Sequence, residues 1–409
     1  MPSVCFYFQV HQPYRLKRFS YFDIGTSQDY FDEDLNRSIM RRVAENCYIP
    51  ANARILRCIE ESHGEFKVAF SISGVAVEMM RAYAPEALES FRVLARTGCV
   101  EFLGETYYHS LAWLYDKREF REQVRRHSNL IAEEFGSRPS VFRNTELIYN
   151  DELGKAVGDL GFAALLAEGA EDVLGWRSPN FMYKVPDRGT KLLLKNFKLS
   201  DDIAFRFSSA THGESNTLSP ARFAQMLHEL DGNAELVGLF LDYETFGEHH
   251  RQDDGILKFL SEAPAHILSR KGWKFVTPSD AAKYLHPVAE LSVPRTTSWA
   301  DTARDVTAWC GNKMQQAALD AIYNPKKLLG GQDIYSASLE PMVEIWRRLQ
   351  TSDHFYYMST KGDDDGAVHS YFSPFQSPYD AFIAYMNVLK DLAWRSSSFQ
   401  EGPQVASNE

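Results

Sequence analysis

The chain has 409 residues, of which 44% are hydrophobic and 24% are charged, and its formal net charge is -11. This composition excludes bulk disorder and is typical of a globular protein. The negative charge disfavours nucleic acid and anionic membranes as partners, because both repel an acidic surface. Since one hydrophobic core rarely exceeds roughly 250–300 residues, we expect two domains.

Short apolar runs separated by segments of helix length mark the predicted strands. In chain order these runs are residues 4–8, 68–70, 100–103, 141–142, 163–166, 192–194, 236–241 and 275–276. Continuous apolar runs are typical of parallel strands that are buried on both faces. Helix-like segments lie between them at 52–61, 87–96 and 116–134, and Ser219-Pro220 and Thr277-Pro278 have the form of helix starts. The alternation predicts an α/β protein, either a barrel or a doubly wound sheet.

Polar side chains at the ends of these runs favour the barrel. They are Gln9, His11, Ser71, Ser73, Glu101, Glu105, Glu146, Glu168, Asp242 and Glu244. Barrel enzymes build their sites at the carboxyl ends of the strands, where the loops converge. For any one of these residues, a polar position that merely opens a loop remains the alternative.

The pattern changes around residues 286–294, where prolines bracket a stretch that resembles a linker. Beyond it, Phe382, Tyr385, Met386 and Leu389 repeat with helical spacing behind the helix start Ser377-Pro378. We therefore predict a catalytic barrel over residues 1–287 and a C-terminal helical domain over residues 295–395.

Cellular context is predicted from what the sequence lacks. It shows neither a signal-peptide pattern nor an apolar stretch of about 18 residues. Its five cysteines are scattered and contain no Cys-x-x-Cys, as expected of free thiols in a reducing compartment. A cytoplasmic protein is the expectation.

Several familiar motifs are also missing. There is no Gly-x-Ser-x-Gly, no Walker loop, no Gly-x-Gly-x-x-Gly and no pair of histidines four residues apart. The acidic run 363–366 lacks the further ligands of a calcium loop, so we interpret it as a solvated loop. Accordingly we expect no cofactor and no metal ion.

Paired carboxylates carry the strongest chemical signal. Glu146 follows one predicted strand, and Asp242 and Glu244 follow another, two residues apart and hence on one face of an extended chain. Glycoside cleavage needs one carboxylate to attack the anomeric carbon and one carboxylic acid to protonate the leaving oxygen. The alternative is that these residues form ion pairs with Arg143 or another base.

Five segments in the same order resemble the signature regions of glycoside hydrolase family 57, above all its α-amylase branch. They are His11-Gln12-Pro13, Gly98-Cys99-Val100-Glu101-Phe102, Phe142-Arg143-Asn144-Thr145-Glu146-Leu147, Asp242-Tyr243-Glu244-Thr245-Phe246-Gly247 and Trp299-Ala300-Asp301 continuing to Trp309. A further likeness lies at Thr351–Met358, which includes His354. One departure is Gln9, because many members carry a second histidine at that position.

The resemblance implies a distorted (β/α)7 barrel followed by a C-terminal helical domain that completes the active-site cleft. It implies a retaining double displacement on α-linked glucans, with Glu146 as nucleophile and Asp242 as acid/base. It also implies sugar-binding roles for a further set of residues: His11, Glu101, Glu244, Asp305 and Trp309, with His354 as an additional candidate. For Trp309 and His354 a structural role is the alternative.

The predicted function is that of an α-amylase-like hydrolase of starch, glycogen or maltooligosaccharides. A 4-α-glucanotransferase or a glucan branching enzyme is the nearest alternative, because a sugar hydroxyl in place of water would intercept the same intermediate. A metal-dependent polysaccharide deacetylase and a non-catalytic glucan-binding protein are more distant alternatives. The sequence predicts no particular oligomeric state.

Overall fold

The computed structural model describes residues 2–209, 217–329, 340–361 and 372–400. The chain divides into two compact units. The first is formed by Met1–Gln12, Arg37–Tyr107 and Glu122–Trp299, and the second by Pro13–Asn36, Tyr108–Arg121 and Ala300–Glu409. The extents inferred from sequence, 1–287 and 295–395, stay a prediction.

Ten strands of the described chain form one sheet in the first unit. They are β1 Ser3–Val10, β2 Val68–Ile72, β3 Val100–Phe102, β4 Val141–Arg143, β5 Ala164–Glu168, β6 Tyr183–Lys184, β7 Lys191–Lys195, β8 Leu236–Asp242, β9 Lys274–Phe275 and β10 Ala289–Glu290. Each apolar run predicted from the sequence contributes to one of these strands.

Seven of the strands close into a ring of parallel neighbours. The order is β1-β2-β3-β4-β5-β7-β8 and back to β1, and full ladders join β1 to β2 and β1 to β8. The join between β3 and β4 is made by Gly104, whose N–H donates to the carbonyl of Val141 (2.9 Å) and whose carbonyl accepts from the N–H of Arg143 (2.8 Å). The join between β7 and β8 has one register pair, Lys195 with Gly238. The predicted distorted (β/α)7 barrel is therefore confirmed.

Glycine occupies both of these short joins because other parts of the same chain lie too close to leave room for a side chain. A Cβ on Gly238 would lie 2.3 Å from the carbonyl oxygen of Leu194, and a Cβ on Gly104 would lie 2.8 Å from the ring of Phe162. At Gly238 the lack of a side chain allows the close backbone approach between β7 and β8, and at Gly104 it leaves room for the ring of Phe162.

The helices alternate with the strands through the first unit and dominate the second. Their bounds are α1 Glu33–Val43, α2 Ile49–Glu61, α3 Gly74–Tyr83, α4 Pro85–Arg96, α5 Ala112–Tyr115, α6 Lys117–Phe135, α7 Asp151–Asp159, α8 Glu171–Leu174, α9 Phe197–Ala204, α10 Pro220–His228, α11 Ile256–Leu268, α12 Pro278–Tyr284, α13 Thr307–Cys310, α14 Lys313–Ile322, α15 Pro325–Leu328, α16 Glu340–Arg348, α17 Ser352–Tyr356 and α18 Pro378–Gln400. A π-helical turn, Ala44–Tyr48, joins α1 to α2, and short 3-10 turns follow β4 (Thr145–Leu147) and β8 (Tyr243–Thr245). The helix starts predicted at Ser219 and Thr277 are confirmed, since each side chain accepts an N–H in the first turn of the helix that follows.

The barrel interior is packed with side chains from alternate strand positions. The cluster includes Cys5 and Tyr7 on β1, Ala69 on β2, Val141 on β4 and Leu166 on β5. Burial of a valine or leucine side chain contributes about 1.5–3 kcal/mol to the free energy of unfolding. This layer closes the barrel below the carboxyl ends of its strands, and polar residues occupy those ends.

The segment that resembled a linker is instead partly strand. Ala289 and Glu290 form β10, which pairs with β6, and the N–H of Val293 donates to the carboxylate of Asp151 (2.8 Å). Its two residues are exposed and carry no apolar pattern, which is why the sequence did not indicate a strand.

The second unit is helical in its C-terminal part, as predicted. Tyr385 and Leu389 of α18 are buried, and the Tyr385 hydroxyl donates to the carbonyl of Leu349 (2.7 Å). The indole N–H of Trp346 donates to the carbonyl of Ile322 (2.8 Å), and Arg347 forms a buried ion pair with Glu119 (2.9 Å). Each of these three side chains has an acceptor, so their polar groups tie the helices of this unit together.

Among the helices that the structure describes, none is both long enough and apolar enough to span a bilayer.

Candidate active site

The carboxyl ends of β1, β2 and β8 bring polar side chains to one level. Gln9 of β1 is the register partner of Ser71 on one side and of Asp242 on the other. The Tyr7 hydroxyl lies 2.8 Å from Gln9 Oε1 and 2.6 Å from Ser71 Oγ, and Gln9 Nε2 donates to Glu105 (3.3 Å). Strand register alone therefore assembles a hydrogen-bonded network beside Asp242.

Glu105 and His11 lie at the same end of the barrel. His127 accepts the N–H of Glu105 on Nδ1 (3.2 Å) and contacts the carbonyl of Ile72 through Nε2 (2.9 Å). Burial lowers the pKa of His127, so its ring is neutral and can accept a hydrogen bond at Nδ1 while it donates one from Nε2. His11, which follows β1, contacts Ser73 after β2 with Nδ1 and Oγ 2.7 Å apart. His11 thus has a partner at the end of the neighbouring strand, and Glu105 has one on helix α6.

Glu146 lies in a strained turn immediately after β4. Its φ is 56° and that of Leu147 is 50°, so two consecutive residues other than glycine adopt the left-handed conformation. Such a conformation costs on the order of 1–3 kcal/mol per residue and is found preferentially at functional sites. The turn leaves the Glu146 side chain partly exposed, while its neighbours Thr145 and Leu147 are buried.

Trp299 holds Glu146 by two hydrogen bonds. The backbone N–H of Trp299 donates to the Glu146 carbonyl (3.2 Å), and its indole N–H donates to Glu146 Oε2 (2.7 Å). The adjacent bridge between Tyr149 and Thr297 keeps the two segments in register. One carboxylate oxygen is thereby fixed by a neutral donor, which stabilises negative charge on the carboxylate without cancelling it.

Asp242 and Glu244 occupy the end of β8 in different environments. Asp242 is the last residue of the strand and is partly exposed, whereas Glu244 is buried in the turn that follows. The Tyr48 hydroxyl donates to Glu244 Oε1 (2.5 Å), and the amide of Gln12 lies 3.5 Å away. Burial, followed by the charge of Asp242, raises the pKa of Glu244 to about 8. Glu244 therefore holds its proton at neutral pH.

Arg143, the last residue of β4, does not neutralise these carboxylates. Its side chain is fully buried, and none of its guanidinium nitrogens has a hydrogen-bond partner among the residues that the structure describes. The guanidinium carbon lies 4.7 Å from the centre of the Trp299 ring and 6.0 Å from that of Tyr7. The ion pair with Arg143 that the sequence left open is thus not formed.

The charge of Arg143 nevertheless acts on residues near both strand ends that carry a carboxylate. Burial raises the pKa of the Tyr7 phenol, the charge of Arg143 opposes this rise, and the charges of Glu105 and Asp242 add to it. Arg143 also contacts the ring of Trp299, which bonds Glu146. Arg143 is therefore a neighbour both of Trp299, which bonds Glu146, and of Tyr7, whose pKa the charge of Asp242 raises.

Glu101 lies elsewhere on the barrel wall. It pairs in register with Ala69, two residues before the level of Ser71, and its Oε2 accepts the N–H of Ser279 at the start of α12 (2.8 Å). Burial raises its pKa. This contact gives Glu101 a role in anchoring a helix, and its predicted role in sugar binding stays a prediction.

The remaining candidates, Asp305, Trp309 and His354, belong to the second unit. Asp305 accepts the N–H (2.8 Å) and hydroxyl (2.5 Å) of Thr307 at the start of α13. Trp309 has an exposed fraction of 1% and packs edge-on against Tyr356, as the alternative of a core tryptophan requires. His354 is buried beside the rings of Tyr357 and Tyr385. Their sugar-binding roles stay predictions.

Two contacts of the site were not predicted from the sequence. Trp299 stood in the fifth family motif, but nothing in the local pattern indicated that it contacts Glu146. Tyr48 lies in the π-helical turn, a form that is often found at functional sites, and its ring stacks on Tyr243. An aromatic residue in an irregular turn of a helix could have indicated Tyr48. A single sequence, however, does not show where a helix becomes irregular.

Within the described ranges, no group of three or more histidine, cysteine, aspartate or glutamate side chains is arranged to hold a metal ion. The acidic run 363–366 lies outside the described residues.

Known proteins resemble this chain over most of its length. The family model described as "Glycosyl hydrolase family 57" matches residues 5–294. The chain is 42% identical over 398 residues to a putative alpha-amylase from Methanocaldococcus jannaschii, covering 96% of this chain and 84% of that protein.

Solved structures share the fold. A family 57 branching enzyme from Thermococcus kodakaraensis superposes with a TM-score of 0.67 at 13% identity, covering 100% of this chain and 97% of that one. A 4-alpha-glucanotransferase from Thermococcus litoralis gives a TM-score of 0.66 at 14% identity, covering 87% of this chain and 56% of that one. At these identities the likeness concerns the fold alone. The match of the family model and the identity to the archaeal relative show that this chain belongs to glycoside hydrolase family 57.

Proposed function

We propose that the protein is a retaining α-glucan hydrolase of the α-amylase type, with Glu146 as nucleophile and Asp242 as acid/base. The observation that carries the proposal is the Glu146 turn, in which a strained backbone and the indole N–H of Trp299 present one carboxylate at the end of a barrel strand. The name of the relative at 42% identity, a putative alpha-amylase, supports the choice of reaction.

In the first step, Glu146 attacks the anomeric carbon and the glycosidic C–O bond breaks. Asp242, protonated at this stage, gives its proton to the departing sugar oxygen. In this mechanism Oε2 accepts the hydrogen bond from Trp299, and Oε1 is the oxygen that attacks. The product of this step is a glycosyl ester on Glu146 and a shorter glucan with a free hydroxyl.

In the second step, water attacks the anomeric carbon of this ester. Asp242, now ionised, takes a proton from the water, and the carbon–oxygen bond to Glu146 breaks. The anomeric configuration is retained because it is inverted twice. The mechanism requires the two carboxyl groups to be about 5–5.5 Å apart.

Glu244 keeps the region around Asp242 from carrying two negative charges. Because Glu244 is protonated at neutral pH, Asp242 can accept and release a proton next to a neutral neighbour. His11, held by Ser73 at the end of β1, is proposed to bind a sugar hydroxyl. The proposed sugar-binding roles of Asp305, Trp309 and His354 rest on the family resemblance.

The proposed substrates are neutral α-glucans such as starch, glycogen and maltooligosaccharides, which an acidic protein does not repel. Cytoplasmic localisation is proposed on the chemistry of the cysteines. All five are free thiols, and Cys5, Cys47, Cys58 and Cys99 are buried. Free thiols persist in a reducing compartment.

The test is product analysis after incubation with maltoheptaose and with glycogen. Hydrolysis predicts shorter oligosaccharides only, with newly formed reducing ends that initially have the α configuration. Products longer than maltoheptaose would instead identify a 4-α-glucanotransferase. New branch points without a net gain of reducing ends would identify a branching enzyme, and the absence of any change in either glucan would refute a catalytic role on these substrates.

A further inference from the structure

Trp299 presents the donor that holds the proposed nucleophile, yet its ring is only partly covered. The indole packs against the barrel core and remains partly exposed, so burial alone does not fix its orientation. Its N–H donates to Glu146 Oε2 over 2.7 Å, and a hydrogen bond weakens steeply once the donor turns away from its acceptor. A contact that fixes the ring therefore fixes the carboxylate as well.

Arg143 makes such a contact from a buried position. Its guanidinium carbon lies 4.7 Å from the centre of the Trp299 ring and 6.0 Å from that of Tyr7. The side chain is fully buried, and within the described part of the chain no hydrogen-bond acceptor lies within reach of its nitrogens. The two rings thus interact with a charge that no acceptor shares, and a cation–π contact gains strength where water is excluded.

The energetic cost of this arrangement indicates that it serves the site. A buried guanidinium without an acceptor lowers the stability of the fold, and an apolar side chain of similar volume would pack there without that cost. A second cation near the same ring shows the ordinary solution. Lys195 Nζ, 5.3 Å from the ring centre, lies 3.2 Å from Asp201 and 3.9 Å from Glu168. Carboxylates therefore balance the charge of Lys195, whereas that of Arg143 is left to act on the rings.

We propose, on the basis of the function proposed above, that Arg143 is a positioning residue that acts on Glu146 through Trp299. The guanidinium attracts the face of the indole and holds the ring where its N–H donates to Glu146 Oε2. A positive charge over the ring also draws electron density from it, which makes the N–H a better donor. Arg143 itself does not touch the sugar, and its effect is on the carboxylate that reacts.

The test is a double-mutant cycle on maltoheptaose with Arg143→Met, Trp299→Phe and the variant that carries both substitutions. Loss of a cation–π contact in a dry site predicts a roughly 10-fold fall in kcat for Arg143→Met, with KM within about threefold of wild type because the side chain does not touch the substrate. In the Trp299→Phe background, which has no N–H to orient, the same substitution should change kcat by less than about twofold. Arg138→Met, at an exposed position, is the matched control and should leave both constants unchanged.

A spectroscopic measurement follows the hydrogen bond without any substrate. The indole N–H of Trp299 is assigned in a proton–nitrogen correlation spectrum as the signal that Trp299→Phe removes. In Arg143→Met this signal should shift to lower proton frequency, because the bond to Glu146 weakens. The melting temperature of Arg143→Met should equal or exceed that of the wild type, because an unpaired buried charge has been removed.

Arg143→Gln, which also removes the charge, is carried through the same measurements, so that the result does not depend on how one variant folds. The proposal would be overturned by an unchanged N–H signal, by a kcat of Arg143→Met within about twofold of wild type, or by equal losses with and without the indole N–H. A fall in melting temperature of several degrees, or failure of both variants to fold, would equally overturn it, because each shows a structural role. If the wild-type protein releases no sugar, the proposed function fails, and the N–H signal still tests the effect of Arg143 on Trp299.

Discussion

The ends of β4 and β8 each carry a carboxylate followed by a short 3-10 turn, but the two turns place their acids in different chemical states. At β4 the backbone enters the left-handed region, and Glu146 is partly exposed with an indole N–H on one oxygen. At β8 Asp242 is extended and partly exposed, and it is Glu244 that is buried and protonated. Environment, more than residue type, therefore decides which carboxyl group carries a charge and which holds a proton.

This difference explains how four acidic groups can share one barrel end. Glu105 is engaged by Gln9, and Glu244 is neutral at pH 7, which leaves Glu146 and Asp242 as the partly exposed pair. Perturbation of a titratable group beside strand-end carboxylates is typical of catalytic sites. Substitution of these residues one at a time should separate their roles.

The largest effect is expected for Glu146→Gln. An amide cannot attack the anomeric carbon, so sugar release should fall by a factor on the order of 10⁴ or more. Sugar release from maltoheptaose measures the loss, and circular dichroism and the melting temperature establish that the variant is folded. A folded variant with wild-type turnover would remove Glu146 from the mechanism.

Asp242→Asn should lose less, because its task depends on the leaving group. On maltoheptaose the rate should fall by about 10²–10⁴, the usual contribution of general acid–base catalysis. With an aryl maltooligosaccharide whose phenol leaves without protonation, formation of the intermediate should be largely preserved, and azide should accelerate its breakdown. Equal losses on both substrates would contradict the assignment of Asp242 as the acid.

Trp299→Phe should produce a smaller change of a specific kind. It keeps a ring next to Arg143 and removes the N–H that donates to Glu146, so kcat should fall by about 10- to 100-fold, as for one hydrogen bond to a charged group. Trp273→Phe is the matched control, because the indole N–H of Trp273 also donates to a carboxylate, that of Asp231 (2.8 Å), outside the proposed site. Similar kcat values for the two variants would show that the Trp299 contact has no catalytic part.

The last effect concerns stability rather than rate and is small at any one pH step. The folded state raises the pKa of Glu244 from an ordinary value near 4.3 to about 8, so between these limits the folded protein binds the proton more tightly than the unfolded chain. Stability must then fall as pH rises from about 4.5 to 8, by at most about 1.4 kcal/mol per pH unit from this group. Glu244→Gln should lose this component of the slope.

Urea unfolding at pH 5, 6, 7 and 8 measures the effect. The free energy of unfolding of Glu244→Gln relative to wild type should increase with pH, whereas Glu229→Gln, at an exposed position, should give a constant difference. A constant difference for Glu244→Gln would show that Glu244 ionises normally in the folded protein.

Much of the barrel could be predicted from the sequence because its strands are buried on both faces. Runs such as 4–8 and 236–241 are apolar throughout, and the residues that follow them are polar, so strand ends and candidate carboxylates are visible without a structure. The joins at Gly104 and Gly238 depend on how closely segments far apart in sequence approach each other, and no local sequence pattern indicates that distance. The two exposed residues of β10 likewise give no pattern of their own.

The supporting contacts of the site could not be predicted for the same reason. Trp299 and Glu146 are 153 residues apart, and Tyr48 and Glu244 are 196 apart. Arg143 was visible three residues before Glu146 and suggested an ion pair. Only its burial and the absence of an acceptor among the described residues show that none is formed.

The most direct test of the central claim is to trap the glycosyl intermediate. Wild-type protein is incubated with a slowly hydrolysed fluorinated α-glucosyl fluoride or its maltosyl homologue, digested with protease and analysed by mass spectrometry. We predict an ester-linked sugar on the peptide that contains Glu146, with Glu146→Gln unlabelled under the same conditions. Labelling of Asp242 or another carboxylate, or turnover that inverts the anomeric configuration, would contradict it.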